Sequence, residues 1–151
     1  MSPDPIAIAS DHGGFELKAL LKEELAARGH AVIDLGSNDR DSVDYPDYAQ
    51  ALAQAIGAGK ARRGILICGT GIGMSIAANR HPFLRAALVH DAFTARMARA
   101  HNDANVLVLG GRTIGPEIAK DCLAVFLDTA FEGGGRHARR VEKLSRLPAS
   151  S

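Results

Sequence analysis

Two short glycine-bearing stretches hold the residues best suited to chemistry, Ser10-Asp11-His12-Gly13-Gly14 and Cys68-Gly69-Thr70-Gly71-Ile72-Gly73. The second sets a thiol just before a turn whose backbone N–H groups can face an anion, either a phosphate or a developing oxyanion. A free thiol of pKa ~8.5 is only about 3% thiolate at pH 7, and oriented amides raise that fraction, so a cysteine so placed can act as base or nucleophile. A buried inert thiol is the competing reading for Cys68; its place at a strand end before the loop favours chemistry. A dinucleotide fingerprint would need glycine where Met74 stands, and a P-loop would need Gly-Lys-Ser/Thr, so neither is present.

The elements that must position these loops alternate. Ile6–Ser10 reads as a strand, followed by an amphipathic helix over Phe15–Arg28, with apolar residues at 17, 20, 21 and 25. Strands follow at Ala31–Leu35, Gly64–Cys68, Ala86–Val89 and Asn105–Leu109. Helices are expected over Pro46–Ile56, Met74–Asn79, Ala92–Ala100 and Pro116–Phe131. The Gly133-Gly134-Gly135 hinge precedes a basic helix over about 136–146, and the tail Pro148–Ser151 reads as frayed. Strands each followed by a helix imply right-handed crossovers and a parallel sheet covered on both faces. The expected order is the doubly wound 2-1-3-4-5, with its switch point between the first and third strands, where the two glycine stretches become neighbours.

Other candidates are weighed the same way. His12, beside Asp11 at the switch point, reads as functional. His30 and His81 read as turn residues, and His90-Asp91 as a helix cap. His101-Asn102-Asp103 leads into the last strand, so connectivity alone puts it on the edge opposite Cys68. Cys122 lies in an apolar helical stripe with Leu123 and Phe126 and reads as core. Arg136 and Arg140 stand one helical turn apart and can clamp a phosphate, although a solvated basic face is the default. The Asp39-x-Asp41 start lacks the later ligands of a calcium loop, so no metal site and no cofactor are expected.

Composition bounds the rest. The 151 residues carry 18 Lys+Arg against 17 Asp+Glu, a net charge of +1, with 46% hydrophobic residues. That is a single domain over 1–151 without the basic surface that nucleic acid or anionic membrane requires. With no long apolar run, no signal-like start and only two cysteines, the expectation is a cytoplasmic protein without disulfides.

Asp11-His12-Gly13-Gly14-Phe15, Asp44-Tyr45-Pro46, the Cys68–Gly73 loop, His101-Asn102-Asp103, Gly111-Arg112 and Gly135-Arg136-His137 with Arg140 together resemble the ribose-5-phosphate isomerase B family, which includes galactose-6-phosphate and allose-6-phosphate isomerases. The resemblance runs from residue 6 to about 146. It implies a Rossmann-like three-layer α/β/α sandwich that dimerises, or forms a dimer of dimers, with its C-terminal helix reaching a partner subunit. It also implies an aldose–ketose isomerase that interconverts ribose 5-phosphate and ribulose 5-phosphate. Cys68 would then move a proton between C2 and C1 through an enediolate, assisted by Thr70, with amides of Gly69, Thr70, Gly71, Ile72 and Gly73 on the oxyanion. His101 with Asp11 would open the sugar ring, Asn102 and Tyr45 would contact hydroxyls, and His12, Arg112, Arg136 and Arg140 would bind phosphate. A second branch of the family carries a Glu base at the position of Met74, and Met cannot accept a proton. Alternatives are a hexose 6-phosphate or tetrose 4-phosphate isomerase, or a non-catalytic phosphometabolite-binding module.

Overall fold

Hydrophobic alternation along the strands builds two separate cores, one on each face of a parallel sheet. A computed structural model describes residues 3–148, so residues 149–151 of the tail lie outside the described residues. The strands are β1 (Ile6–Ser10), β2 (Val32–Asp34), β3 (Arg63–Cys68), β4 (Ala86–Leu88) and β5 (Val106–Gly110). The helices are α1 (Phe15–Ala27), α2 (Tyr45–Gly57), α3 (Ile72–Ala78), α4 (Ala92–Ala100), α5 (Pro116–Asp128) and α6 (Gly135–Leu144), with a 3-10 turn at His12–Gly14. Ile6, Ile8, Ile65, Ile67, Leu107 and Leu109 pack with Leu21, Leu25 and Phe126 under α1, α4 and α5. The alternate residues Ala7, Ala9, Leu66, Val106 and Val108 pack with Leu52 and Met74 under α2 and α3. Cys68 shares the parity of Leu66 and so belongs to this second face.

The sheet order is β2-β1-β3-β5-β4, which corrects the expected 2-1-3-4-5. The reason lies in the two strands that exchange places. β5, Val106-Leu107-Val108-Leu109-Gly110, is buried along its whole length, as a strand with neighbours on both sides must be. β4 has three residues, all half-buried, and fits an edge. Right-handed crossover then fixes the layers: the chain moves outward through α3 to β4 and returns through α4 to β5, so α4 lands on the opposite face from α3. The switch point between β1 and β3 is retained, with Ile8 opposite Ile65 and Ser10 opposite Ile67.

Smaller departures have local causes. α3 begins at Ile72, inside the stretch read as loop, because Gly71 at φ 80° supplies the left-handed turn that lets the helix start early. α5 stops at Asp128 rather than Phe131, where Thr129 turns to extended backbone. α6 runs from Gly135 to Leu144 and has no buried residue.

Candidate active site

Three loops converge at the carboxyl ends of β1, β3 and β5. The Asp11 amide donates to the Ile67 carbonyl at 3.2 Å, and the amides of Gly111 and Arg112 donate to the carbonyls of Cys68 and Gly69 at 2.8 and 2.9 Å. The observed strand order has a direct consequence here. With β5 beside β3, Arg112 stands next to the thiol loop, its Nε and guanidinium against Gly69. The expected order would have put His90 there instead. His90 is exposed, and Asp91 forms a capping box on α4, its Oδ1 accepting from the Thr94 amide at 2.7 Å.

Cys68 ends β3, 4% exposed, and its Sγ accepts a hydrogen bond from the Gly71 amide at 3.1 Å. Thr70 is exposed and its Oγ1 accepts from the Ile72 amide at 3.2 Å, so two loop amides are already engaged within the loop itself. Gly73 lacks the Cβ that would lie 2.5 Å from Tyr45 Cζ, and that vacancy lets the Tyr45 ring close over the loop from the start of α2. Met74 is fully buried in the core under α2 and α3.

The loop after β1 is braced by its own acid. Asp11, 7% exposed, accepts from the Gly13 amide at 2.9 Å through Oδ1 and so caps the 3-10 turn. His12 Nδ1 accepts from the Val43 amide at 3.2 Å, which leaves its proton on Nε2. His12, Gly13, Glu16, Leu17, Arg40, Gly111 and Arg112 line a cavity of about 380 Å³. Three of these side chains can donate to an anion, and the acid among them, Glu16, is paired with Arg40 at 3.1 Å.

Arg40 and Val43 were missing from the expectations, as was the device that holds their loop. Lys18 is 3% exposed and donates to Asp34 Oδ1 at 2.7 Å and to the Ser37 carbonyl at 2.6 Å, while Lys22 takes Asp34 Oδ2 at 2.7 Å. Burial pushes the Asp34 carboxyl up, but hydrogen bonds from Lys18, Lys22 and the Gly36 amide outweigh it, and the group sits below its usual range. The sequence did carry a signal: Lys18 occupies a position beside Leu17 and one turn from Leu21, on the face α1 turns to the core.

The remaining candidates stand elsewhere in the same chain. His101 closes α4, and Asn102 follows it on the edge where the strands begin, roughly 15–20 Å along the sheet from Cys68. Asn102 lines a second cavity of about 420 Å³ with residues of the 79–87 stretch and the end of α6. The His137 ring stacks on His101 at 4.1 Å, and this places α6, with exposed Arg136 and Arg140, on that side too. One chain therefore brings together Cys68, Thr70, Asp11, His12, Tyr45, Arg112 and the glycine loop, and leaves His101, Asn102, Arg136 and Arg140 apart. Cys122 is fully buried among α5 core residues, and burial pushes its thiol up to about 11.

Comparison with known proteins identifies the family and the fold. Residues 6–144 match the model of the Ribose/Galactose Isomerase family. The chain is 44% identical over 142 residues to ribose-5-phosphate isomerase B of Escherichia coli, covering 94% of this chain and 95% of that protein. It is 46% identical over 140 residues to D-erythrulose-4-phosphate isomerase of Pectobacterium atrosepticum, covering 92% and 91%. The structure of a ribose 5-phosphate isomerase from Thermotoga maritima superposes with a TM-score of 0.92 at 52% identity, covering 95% of this chain and 99% of that one. With the family match, the identity to these relatives and the fold in agreement over nearly the whole chain, the protein belongs to the ribose/galactose isomerase family.

Proposed function

We propose that this protein is an aldose–ketose isomerase that interconverts ribose 5-phosphate and ribulose 5-phosphate without a cofactor, with Cys68 as the proton-transferring base. The observation that carries the reading is the Cys68 thiol at the end of β3, held by the Gly71 amide beside a cavity that offers His12 and Arg112 to an anion. As thiolate, Sγ takes the proton from C2 of the open-chain aldose. The electrons move into the C1 carbonyl to give an enediolate; O1 is then protonated, the C2 hydroxyl gives up its proton to become the carbonyl, and delivery of the proton from Sγ to C1 completes the ketose. Thr70 and the loop amides over 69–73 face the developing oxyanion, where each well-aimed donor contributes about 3 kcal/mol to the transition state. Gly71 and Ile72 amides are engaged with Sγ and Thr70 Oγ1, so the amides of Gly69, Thr70 and Gly73 are the better placed for that task. Tyr45 contacts a sugar hydroxyl from above Gly73, and His12 and Arg112 take the phosphate.

Ring opening requires a proton shuttle that one chain does not assemble, since Asp11 and His101 occupy opposite edges of the sheet. A homodimer in which His101, Asn102, Arg136 and Arg140 of one protomer meet the thiol loop of its partner resolves the separation. Ile72, Ile76 and Phe93, 54%, 65% and 58% exposed on α3 and α4, supply apolar surface for such an interface. Mixing Arg136→Ala with Cys68→Ala protein tests it. Sharing restores about one intact site per mixed dimer, whereas absence of rescue after demonstrated subunit exchange contradicts it. A thiol base also works best where thiols stay reduced, which supports a cytoplasmic location as part of this reading.

A tetrose 4-phosphate is the second reading, because the relative named for a tetrose phosphate, at 46% identity, falls within the 44–52% spanned by the two relatives above that are named for ribose 5-phosphate. Steady-state turnover of ribose 5-phosphate beside erythrose 4-phosphate, allose 6-phosphate and galactose 6-phosphate, with no added metal, decides. The highest kcat/KM belongs to the pentose on this account; a winning tetrose or hexose replaces the substrate, and no turnover of any refutes the isomerase reading.

A further inference from the structure

Away from the thiol, His101, Glu132 and His137 bring one donor atom each to within 4.8 Å of one another. They come from three separate elements: the end of α4, the segment after α5 and the first turn of α6. Glu132 is fixed from its backbone, its amide donating to the Ala100 carbonyl at 2.9 Å. His101 Nε2 stands 3.7 Å from Glu132 Oε2, beyond a good hydrogen bond, and the two imidazoles stack at 4.1 Å with planes 11° apart. Two imidazoles and a carboxylate are a zinc ligand set, and the last carbonyls of α4 add a negative end beside it.

We infer that His101, Glu132 and His137 form a site for a zinc-like divalent ion, and that the bound ion withdraws His101 from the isomerisation. Tetrahedral zinc at about 2.0–2.1 Å from each nitrogen sets donors about 3.3 Å apart, so the cluster must close by about 1 Å. The near-parallel rings must also turn to aim their in-plane lone pairs at one point. Both motions are open to them, since His101 and His137 are half-buried, Glu132 is exposed and α6 buries no residue. Arg136 and Arg140 repel an ion, but both are exposed and can turn into solvent.

Metal binding is independent of the reading proposed above, whereas withdrawal of His101 rests on its ring-opening role. Zinc titration by calorimetry belongs in the Cys68→Ala protein, because a thiol is itself a zinc ligand, with Glu132→Gln or His137→Ala added on that background. The expected result is one ion per chain, weakened about 10-fold or more by either substitution, with matching loss of the visible absorption of bound cobalt. No bound ion, or binding indifferent to both substitutions, overturns the site; unchanged metal-free melting temperatures show that the variants are folded. With Cys68 restored, zinc inhibits turnover of ribose 5-phosphate in the parent and at least about 10-fold less effectively in Glu132→Gln. Binding that responds to the substitutions while inhibition does not would leave the site standing and overturn the withdrawal of His101.

Discussion

Gly71→Ala strikes the thiol loop where conformation and chemistry meet. Gly71 has φ 80°, and a Cβ there would lie 2.5 Å from Leu88 Cδ1 and 3.1 and 3.2 Å from the Leu109 carbonyl carbon and oxygen. The left-handed backbone costs an alanine about 1–2 kcal/mol. Overpacking adds about 1–3 kcal/mol, since Leu88 can turn its methyl aside but the β5 backbone cannot. A total of about 3 kcal/mol lowers the melting temperature of a chain this long by roughly 6–12 °C. The same shift pulls the Gly71 amide from Cys68 Sγ, now 3.1 Å away. A hydrogen bond to a charged acceptor contributes about 1.5–3 kcal/mol, so kcat falls about 10–100-fold. Thermal melts and steady-state kinetics should be run beside Gly133→Ala, where a Cβ meets nothing within 4 Å and φ is ordinary. Gly133→Ala stays within about 0.5 kcal/mol of the parent. A Gly71→Ala protein with parental stability and kcat would refute both the strain and the amide–thiol contact.

The other predictions draw on single groups. Arg112→Ala, which strips a charge-assisted anion contact from the cavity beside Gly69, raises KM for ribose 5-phosphate about 10-fold or more while kcat changes little; an unchanged KM removes Arg112 from phosphate binding. Asp34 has a folded pKa below its unfolded one, so its pairs with Lys18 and Lys22 stabilise above pH about 4 and are lost as the pH falls through the folded value. Asp34→Asn therefore lowers stability near neutral pH and flattens its decline in acid, as denaturant melts against pH will show; parallel curves for the two proteins contradict this. Cys122 resists iodoacetamide in the folded protein, its thiol buried and pushed up to about 11, and reacts only on unfolding, whereas Cys68 is alkylated and protected by substrate. Peptide mapping that finds Cys122 labelled first would count against the assignment.

Much of the site was legible because its parts lie in short local signals. A strand that ends in Cys and runs into Gly-x-Gly-x-Gly announces itself, and the β1–β3 switch point follows from alternation alone. The exchange of β4 and β5 was not read from the pattern, although the unbroken Val106–Leu109 run against the short Ala86–Leu88 strand held the clue. That exchange matters, since it brings Arg112 beside Gly69 and sends His90 to the edge. Arg40 and Val43 stayed hidden because a loop's path depends on distant anchors, here the buried Lys18 and its partners Asp34 and Ser37. The placement of His101 opposite the thiol follows from connectivity; its proposed role in a partner's site depends on assembly, which no local pattern encodes.

The central claim is that Cys68 moves the proton between C2 and C1, and solvent exchange reads that step directly. Ribose 5-phosphate deuterated at C2 is incubated with parent, Cys68→Ala and Cys122→Ala proteins in ordinary water, and loss of deuterium is followed by NMR beside calorimetric binding. The account predicts loss of deuterium from C2, to C1 or to water, in the parent and in Cys122→Ala, and none above background in Cys68→Ala, which still binds the sugar phosphate. Loss from C2 by Cys68→Ala at a rate near the parent's would contradict it.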